Sequence, residues 1–121
     1  MRLFALRGAT GAERNNAEDI LAATSELMSA LMERNALAAE RVVSCIFTAT
    51  NDLNAEFPAV AARRLGFERV PLLCAREMAV PGSLPRVIRV LIHYYADDDH
   101  VAQHVYLREA AALREDLQAA Q

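Results

Sequence analysis

The stretch VPLLCAREMAVPGSLPRVIRVLIHYY, residues 70–95, has the pattern of two β-strands joined by a turn. An apolar run over 70–74 is interrupted by a Pro-Gly pair at 81–82, and a second apolar run covers 87–92. The second run contains Arg89, which carries a positive charge at every accessible pH. Because an unpaired charge is costly to bury, an arginine inside a buried strand predicts an anion beside it.

The rest of the chain adds three strand-like segments and two helices to this pair. The predicted elements are a strand over 2–7 that ends at Gly8, a helix from Asn15 or Asn16 to about Arg34, a strand over 41–50, a short helix between Pro58 and Gly66, strands over 69–75 and 86–95, and a last extended stretch over 104–113. In the long helix, Ile20, Thr24, Leu27 and Leu31 recur at helical spacing and predict one apolar stripe. The sequence therefore predicts a single α+β domain over 1–121, with a mixed five-stranded sheet, one long helix and one short helix.

The strand over 86–95 is apolar on both of its faces. Ile88, Val90 and Ile92 alternate onto one face, whereas Val87 and Leu91 fall on the other. A small sheet with only two helices cannot cover both faces by itself. We therefore expect copies of the chain to cover the second face in a homo-oligomer.

Length and composition indicate a globular protein. The 121 residues are 54% hydrophobic and 24% charged, which is enough apolar material for one buried core. No apolar run approaches the roughly 20 residues of a membrane span, and the N-terminus lacks the pattern of a signal peptide. We expect a soluble cytoplasmic protein. Cys45 and Cys74 both lie in strand-like runs, which favours reduced thiols over a disulfide.

The charged residues limit the partners and reactions that the chain could support. The balance of 13 basic and 16 acidic residues gives a net charge of −3, which does not indicate a nucleic-acid partner. All thirteen basic residues are arginines. The absence of lysine excludes Schiff-base chemistry and the usual lysine of a P-loop. Planar guanidinium groups suit carboxylates and phosphates as ligands.

Two other kinds of site have weak support in the sequence. His100 and His104 follow an acidic run at a spacing that would place both rings on one face of a helix, but no third metal ligand has a matching spacing. A solvated turn explains the same residues, and we expect no metal. Cys74 could act as a nucleophile, but no histidine lies close in sequence, and strand cysteines are commonly small buried apolar residues.

Arg7 and Arg89 are the more informative pair. Arg7 ends the first strand and Arg89 lies in the middle of a later one, so both could face one pocket at the surface of the sheet. Strand alternation places Tyr106 with His104 on the face opposite Val105. Alternatively, each arginine pairs with a carboxylate such as Glu77 and only holds the core or an oligomer together. From these residues alone, the prediction is a site for a small anion.

Four segments together resemble a known family. They are LRGATGAERN (6–15), TATNDLNAEFPAVAARRLG (48–66), VPLLCAREMAVPGSLPRVIRV (70–90) and HVYLREAAALREDL (104–117). In this order and with these intervening lengths, they are similar to the monofunctional, trimeric chorismate mutases of the pseudo-α/β-barrel class. The resemblance covers nearly the whole chain.

The resemblance implies a homotrimer with sites between subunits that rearranges chorismate to prephenate, a step towards phenylalanine and tyrosine, without a cofactor. The positions that it implies as catalytic are Cys74, Glu77 and Arg89, and those that it implies as substrate-binding are Arg7, Phe57, Ala59, Arg63, Leu72, Leu73, Tyr106, Leu113 and Arg114. Two positions depart from the family pattern, since Val60 stands where lysine is frequent and Leu73 where threonine is common.

This chemistry accounts for the arginines. Chorismate is a dicarboxylate, and negative charge grows on its ether oxygen as the C–O bond breaks ahead of C–C bond formation. Arg89 would stabilise that charge, whereas Phe57 and Leu113 would hold the side chain folded over the ring. Some small ligand-binding and imine-hydrolysing proteins have a similar trimeric shape, but they are not expected to combine Cys74, Glu77 and Arg89 at this spacing.

Overall fold

The computed structural model describes residues 1–113, in which five strands form one sheet. The elements are β1 (Arg2–Gly11), α1 (Ala17–Arg34), a 3₁₀ turn (Ala39–Arg41), β2 (Val42–Ala49), α2 (Ala59–Ala62) continued by a wide π-type turn (Arg63–Phe67), β3 (Leu72–Arg76), β4 (Val87–Ala96), β5 (Val105–Tyr106) and a second 3₁₀ turn (Arg108–Ala110). The predicted five-stranded mixed sheet is confirmed, and α1 and α2 are the long and the short helix that the sequence predicted.

The sheet is mixed, with strand order β3-β2-β4-β1-β5. β4 lies at the centre and pairs antiparallel with both β1 and β2. The two outer pairs, β2 with β3 and β1 with β5, are parallel. The connection from β2 to its parallel neighbour β3 contains α2, as parallel strands require a crossover longer than a hairpin.

α1 covers one face of the sheet. Its N-cap is Asn16, whose side chain accepts a hydrogen bond from the backbone N–H of Asp19 at 2.8 Å. The predicted apolar stripe is confirmed, since its four residues and Met28 are all fully buried. At the other end, the Asn35 amide bonds the Leu31 and Gln103 carbonyls, both at 3.0 Å, and thereby ties the helix to the chain before β5.

The prediction that Gly8 ends the first strand is wrong, because β1 continues to Gly11. Gly8 lies where β1 passes beneath α1. A Cβ atom added there would be 2.8 Å from the Leu31 Cδ1 atom and 3.1 Å from the Leu27 Cδ1 atom. The glycine therefore permits close packing of a helix on a strand and does not make a turn. Gly66, in contrast, has the positive φ of 105° expected of a residue that ends a helix.

Two further strand predictions were too long at their ends. β3 begins at Leu72 rather than at residue 69, because a turn joins the Val70 N–H to the Phe67 carbonyl and Pro71 has no N–H for the ladder. β5 comprises only two residues of the predicted stretch over 104–113. The chain leaves the sheet at Arg108, which has a positive φ of 53° and begins a 3₁₀ turn.

The second face of the sheet is covered by neither α1 nor α2. Leu3 and Tyr95 are partners on β1 and β4, and their side chains are 53% and 46% exposed. Leu73, paired with Ile46 across β3 and β2, is 60% exposed. Exposed apolar side chains in one sheet face are typical of a surface that another chain covers.

None of the helices within residues 1–113 is both long and apolar enough to cross a bilayer. Both cysteines are free thiols, as predicted. Cys45 lies in the core between sheet and helices, where burial raises the pKa of its thiol to about 12. Cys45 is therefore protonated and serves as a small apolar residue.

Candidate active site

Four side chains form one row across the uncovered face of the sheet. Thr48 on β2 is the partner of Arg89 on β4, Arg89 is the partner of Ala9 on β1, and Ala9 is the partner of Tyr106 on β5. Residues paired across a sheet project from the same face. The row therefore brings together polar groups from strands that lie far apart in the sequence.

A cavity of about 570 Å³ opens over this row. Five residues predicted from the sequence line it: Arg7, Glu77, Arg89, Tyr106 and Leu113. Thr48, Ile46, Leu91 and Val90 complete its walls together with the backbone of β1. The volume is in the range of about 300–1,000 Å³ that is usual for small-molecule sites. Arg7 and Arg89 thus face one pocket, as their positions in the strands predicted.

Arg89 is not the buried charge that its apolar neighbours predicted. Its side chain is 50% exposed, because strand alternation turns it away from the core, towards which Ile88 and Val90 point. Its Nε atom lies 3.2 Å from the Oε1 atom of Glu77. Glu77 is therefore the anion beside Arg89, as the ion-pairing alternative proposed.

The backbone and one hydroxyl group hold Glu77 in this position. It follows β3 directly, and its backbone N–H donates a hydrogen bond of 3.0 Å to the carbonyl of Ala49 on β2. The hydroxyl of Thr48 donates to the Oε2 atom of the Glu77 carboxylate. Thr48 was not among the predicted site residues. Its signal in the sequence is a polar residue within the apolar strand CIFTA, two positions after Ile46 on the same face.

Arg7 is held by a histidine that the sequence had suggested only as a metal ligand. The backbone N–H of Arg7 donates to the Nδ1 atom of His104 at 3.0 Å. Partial burial and the positive charge of Arg7 both lower the pKa of His104, so its ring is neutral and can accept this bond. In the β1–β5 ladder, Gly8 pairs with Val105. The contact between Arg7 and His104, one residue earlier on each side, extends this pairing.

The two histidines of the alternative metal site have separate partners. The His100 Nε2 atom lies 2.7 Å from the hydroxyl of Tyr94, whereas His104 contacts Arg7. The segment between the histidines is not a helix. In the part of the chain that the structure describes, no group of three or more His, Cys, Asp or Glu residues has the arrangement of a metal site.

Cys74 and Phe57 lie in a different cavity, of about 440 Å³, beside the edge strand β3. Cys74 is the ladder partner of Phe47, which is fully buried under the helices. It therefore projects from the opposite face of the sheet to Arg89, and a single chain does not bring Cys74 together with Glu77 and Arg89. Phe57 precedes α2, and its ring is 66% exposed.

Most of the remaining predicted substrate-binding residues lie close in sequence to Phe57 or Cys74, which line this second cavity. Ala59 begins α2 and is 4% exposed, whereas Arg63 follows α2 on the surface. Leu72 packs against the core, and Leu73 projects from the uncovered face. Arg114 lies outside the described residues. Within residues 1–113, none of these residues lines the cavity that contains Arg7 and Arg89.

Comparisons with known proteins match this chain over nearly its whole length. The family model of chorismate mutase type I matches residues 3–117. A chorismate mutase AroH of Thermus thermophilus is 52% identical over 119 residues, which cover 96% of this chain and 97% of that protein. A chorismate mutase AroH of Bacillus subtilis (strain 168) is 42% identical over 120 residues, covering 97% of this chain and 94% of that protein.

A solved structure has the same fold. A chorismate mutase from Clostridium thermocellum superposes with a TM-score of 0.87 at 44% identity, over 90% of this chain and 98% of that chain. The chain belongs to the type I chorismate mutase family. It is an isomerase of aromatic amino acid biosynthesis, and the resemblance seen in its four sequence segments is confirmed.

Proposed function

We propose that this chorismate mutase rearranges chorismate to prephenate in the cavity lined by Arg7, Glu77, Arg89 and Tyr106. The observation that supports this site most directly is the presence of two arginines and one glutamate in a single 570 Å³ cavity. Their summed charge is +1, whereas chorismate carries two carboxylates. A cavity of net positive charge attracts such a dianion.

Arg7 and Arg89 have different roles in this proposal. Arg7 lies at the end of the cavity near His104 and binds a carboxylate of the substrate. Arg89 contacts Glu77 through Nε, so the Nη groups of the same guanidinium can reach the ether oxygen of chorismate. Negative charge grows on that oxygen in the transition state. A fixed positive charge there stabilises the transition state more than the ground state, which is what raises the rate.

The remaining groups select the reactive conformer. Glu77 accepts a hydrogen bond from the ring hydroxyl and lies against the side of the ring where positive charge develops. Leu113 and Tyr106 line the same cavity and restrict the enolpyruvyl side chain. Holding the two reacting carbons close together removes much of the entropic part of the barrier. No proton is transferred, so the mechanism requires neither an acid nor a base.

A complete site on this proposal requires two chains of a homotrimer. One chain supplies Arg7, Glu77, Arg89, Tyr106 and Leu113. Its neighbour supplies residues of β3 and of the segment around α2, namely Phe57, Ala59, Arg63, Leu72, Leu73 and Cys74. The separation of Cys74 from Arg89 on opposite faces of the sheet supports this division. The exposed Phe57, Leu73 and Tyr95 side chains support an interface, because they are large apolar groups at the surface of the isolated chain.

The experiment that tests the function follows the absorbance of chorismate after addition of the purified protein. We expect the absorbance to decay and prephenate to accumulate without added metal or cofactor. The same assay after treatment with a chelator provides the control. Loss of activity with chelator and its return with a divalent ion would contradict the mechanism. Light scattering on the same sample measures the mass, and an active monomer would exclude the divided site.

A further inference from the structure

Thr48, on the inner strand β2, contacts both members of the Arg89–Glu77 pair. It is the β2 partner of Arg89, and its hydroxyl donates to the Oε2 atom of Glu77, whose Oε1 atom lies near Arg89. Each oxygen of the Glu77 carboxylate therefore contacts a different neighbour. Thr48 also lines both cavities, so it lies between the two groups of predicted site residues.

We propose that Thr48 is a positioning residue of this active site, which fixes the Glu77 carboxylate so that the Arg89 guanidinium is directed at the substrate. This proposal rests on the site proposed above. Without the hydroxyl, the carboxylate can rotate about its last bonds and follow the guanidinium, because the attraction between two charges depends little on their orientation. A hydrogen bond is directional and selects one orientation.

The surroundings of Glu77 support this role. Its side chain is 20% exposed, so water has limited access to replace a lost donor. Its backbone is fixed by the hydrogen bond from its N–H to the carbonyl of Ala49, the residue after Thr48. Because β2 is paired on both sides, the Thr48 hydroxyl is presented from a rigid strand. Rigid support of this kind is what an electrostatic site requires.

The test compares Thr48→Val, which keeps the branched shape and removes the hydroxyl, with Thr48→Ser, which keeps the hydroxyl. We expect Thr48→Val to lower kcat about tenfold or more, because a hydrogen bond to a charged group is lost, with a smaller change in KM. Thr48→Ser should retain most of kcat. Thr10→Val is the matched control, since the Thr10 hydroxyl is buried and has no hydrogen-bond partner within residues 1–113.

The division of the effect between kcat and KM provides a readout that a purely structural role would not give. A group that positions the Arg89 guanidinium acts on the transition state more than on the bound substrate. In Thr48→Val, kcat should therefore fall while KM changes little, whereas Thr48→Ser and Thr10→Val should follow the parent in both constants. Equal kcat values for Thr48→Val and the parent would overturn the proposal.

A double-variant cycle separates this proposal from the site itself. In a Glu77→Gln background, Thr48→Val should have less than half of its effect on ln kcat, because its partner is already altered. An undiminished effect would show that Thr48 acts elsewhere. If Glu77→Gln and Arg89→Ala are both as active as the parent, the proposed site fails, whatever Thr48 does. If Thr48→Val does not fold, Thr48→Ala, which also lacks the hydroxyl, replaces it in the same comparisons.

Discussion

The Nε atom of Arg89 lies 3.2 Å from the Oε1 atom of Glu77 at the edge of a 570 Å³ cavity that both residues line. This contact has two interpretations. As an ion pair, it could hold the strands together. As part of a binding site, it fixes a guanidinium beside the substrate. The exposure of Arg89 favours the second interpretation, because partly exposed ion pairs contribute only about 0–1 kcal/mol to stability.

We expect Arg89→Ala to lose most of kcat while the protein still folds. Removal of one neutral oxyanion donor costs about 10²–10³ in kcat, and a charged donor in a partly enclosed cavity should cost at least as much. The urea midpoint should change little, since the Arg89 side chain is half exposed. Steady-state kinetics with chorismate and urea titrations measure the two effects separately.

A citrulline variant separates the charge of Arg89 from its shape, and Arg7→Ala provides a contrast. Citrulline at this position keeps the shape and most hydrogen bonds, and it should lower kcat much more than it weakens substrate binding. Arg7→Ala should instead mainly raise KM, through loss of a carboxylate ligand. A fully active citrulline form, together with an unfolded Arg89→Ala variant, would establish the structural interpretation of Arg89.

Mixing of inactive chains tests whether each site is divided between subunits. Arg89→Ala and Arg63→Ala chains, co-expressed in equal amounts, should form mixed trimers with about one quarter of the sites intact, since each intact site needs one suitable chain on each side. Arg89→Ala mixed with Arg7→Ala is the control. These two residues line one cavity of a single chain, so that mixture should show no more activity than the mean of the two variants measured separately.

The rate of the parent enzyme should change little between about pH 6 and pH 9, because no general acid or base takes part. Measurements of kcat and kcat/KM in buffers of constant ionic strength test this expectation. A bell-shaped profile with two steep limbs in this interval would indicate proton transfer and would contradict a purely electrostatic mechanism.

His104 should make the fold sensitive to acid. Its pKa is lowered from 6.5, first by partial burial and then by the charge of Arg7. Because the native state favours the neutral ring, the stabilising contribution is fully present above the unfolded-state pKa. It is lost as the pH falls through the lower native pKa, where a protonated ring cannot accept from Arg7.

Proton NMR of the His104 ring should show this titration below its ordinary midpoint of 6.5. Arg7→Met should raise the midpoint, since it removes the positive charge of Arg7 and leaves the His104 ring partly buried. His104→Gln should lose less stability than the parent on acidification below about pH 6.5. A midpoint at or above 6.5 in the parent would show that the ring does not accept the Arg7 N–H.

Gly8→Ala should destabilise the protein, because its Cβ would be only 2.8 Å from the Leu31 Cδ1 atom. Overpacking of this kind costs about 1–3 kcal/mol. Gly11→Ala, on the same strand, is the control, since its Cβ would meet only the Arg86 carbonyl oxygen at an ordinary 3.6 Å. Urea unfolding compares the two variants. Equal stability of both would mean that α1 can move away from β1 without cost.

Much of the fold could be predicted from local patterns. The stripe of α1, the cap at Asn16 and the strand ending near Ala96 depend on residues that are neighbours in sequence. The predictions of element boundaries failed where contacts with segments distant in sequence determine the structure. The prediction that the first strand ends at Gly8 failed because the sequence does not distinguish a glycine required for close packing from one required for a positive φ.

The sequence by itself determined the arginine-only inventory, the alternating strands and the four segments that identify the family, because these depend only on residue types and their spacing. Only the tertiary structure decided that Arg7, Arg89 and Tyr106 face one cavity and that Cys74 faces away from it. Only the tertiary structure placed Thr48 beside Glu77 and His104 beside Arg7. The physical reason is that strand order and register determine which side chains meet, and both are set by packing over the whole sheet.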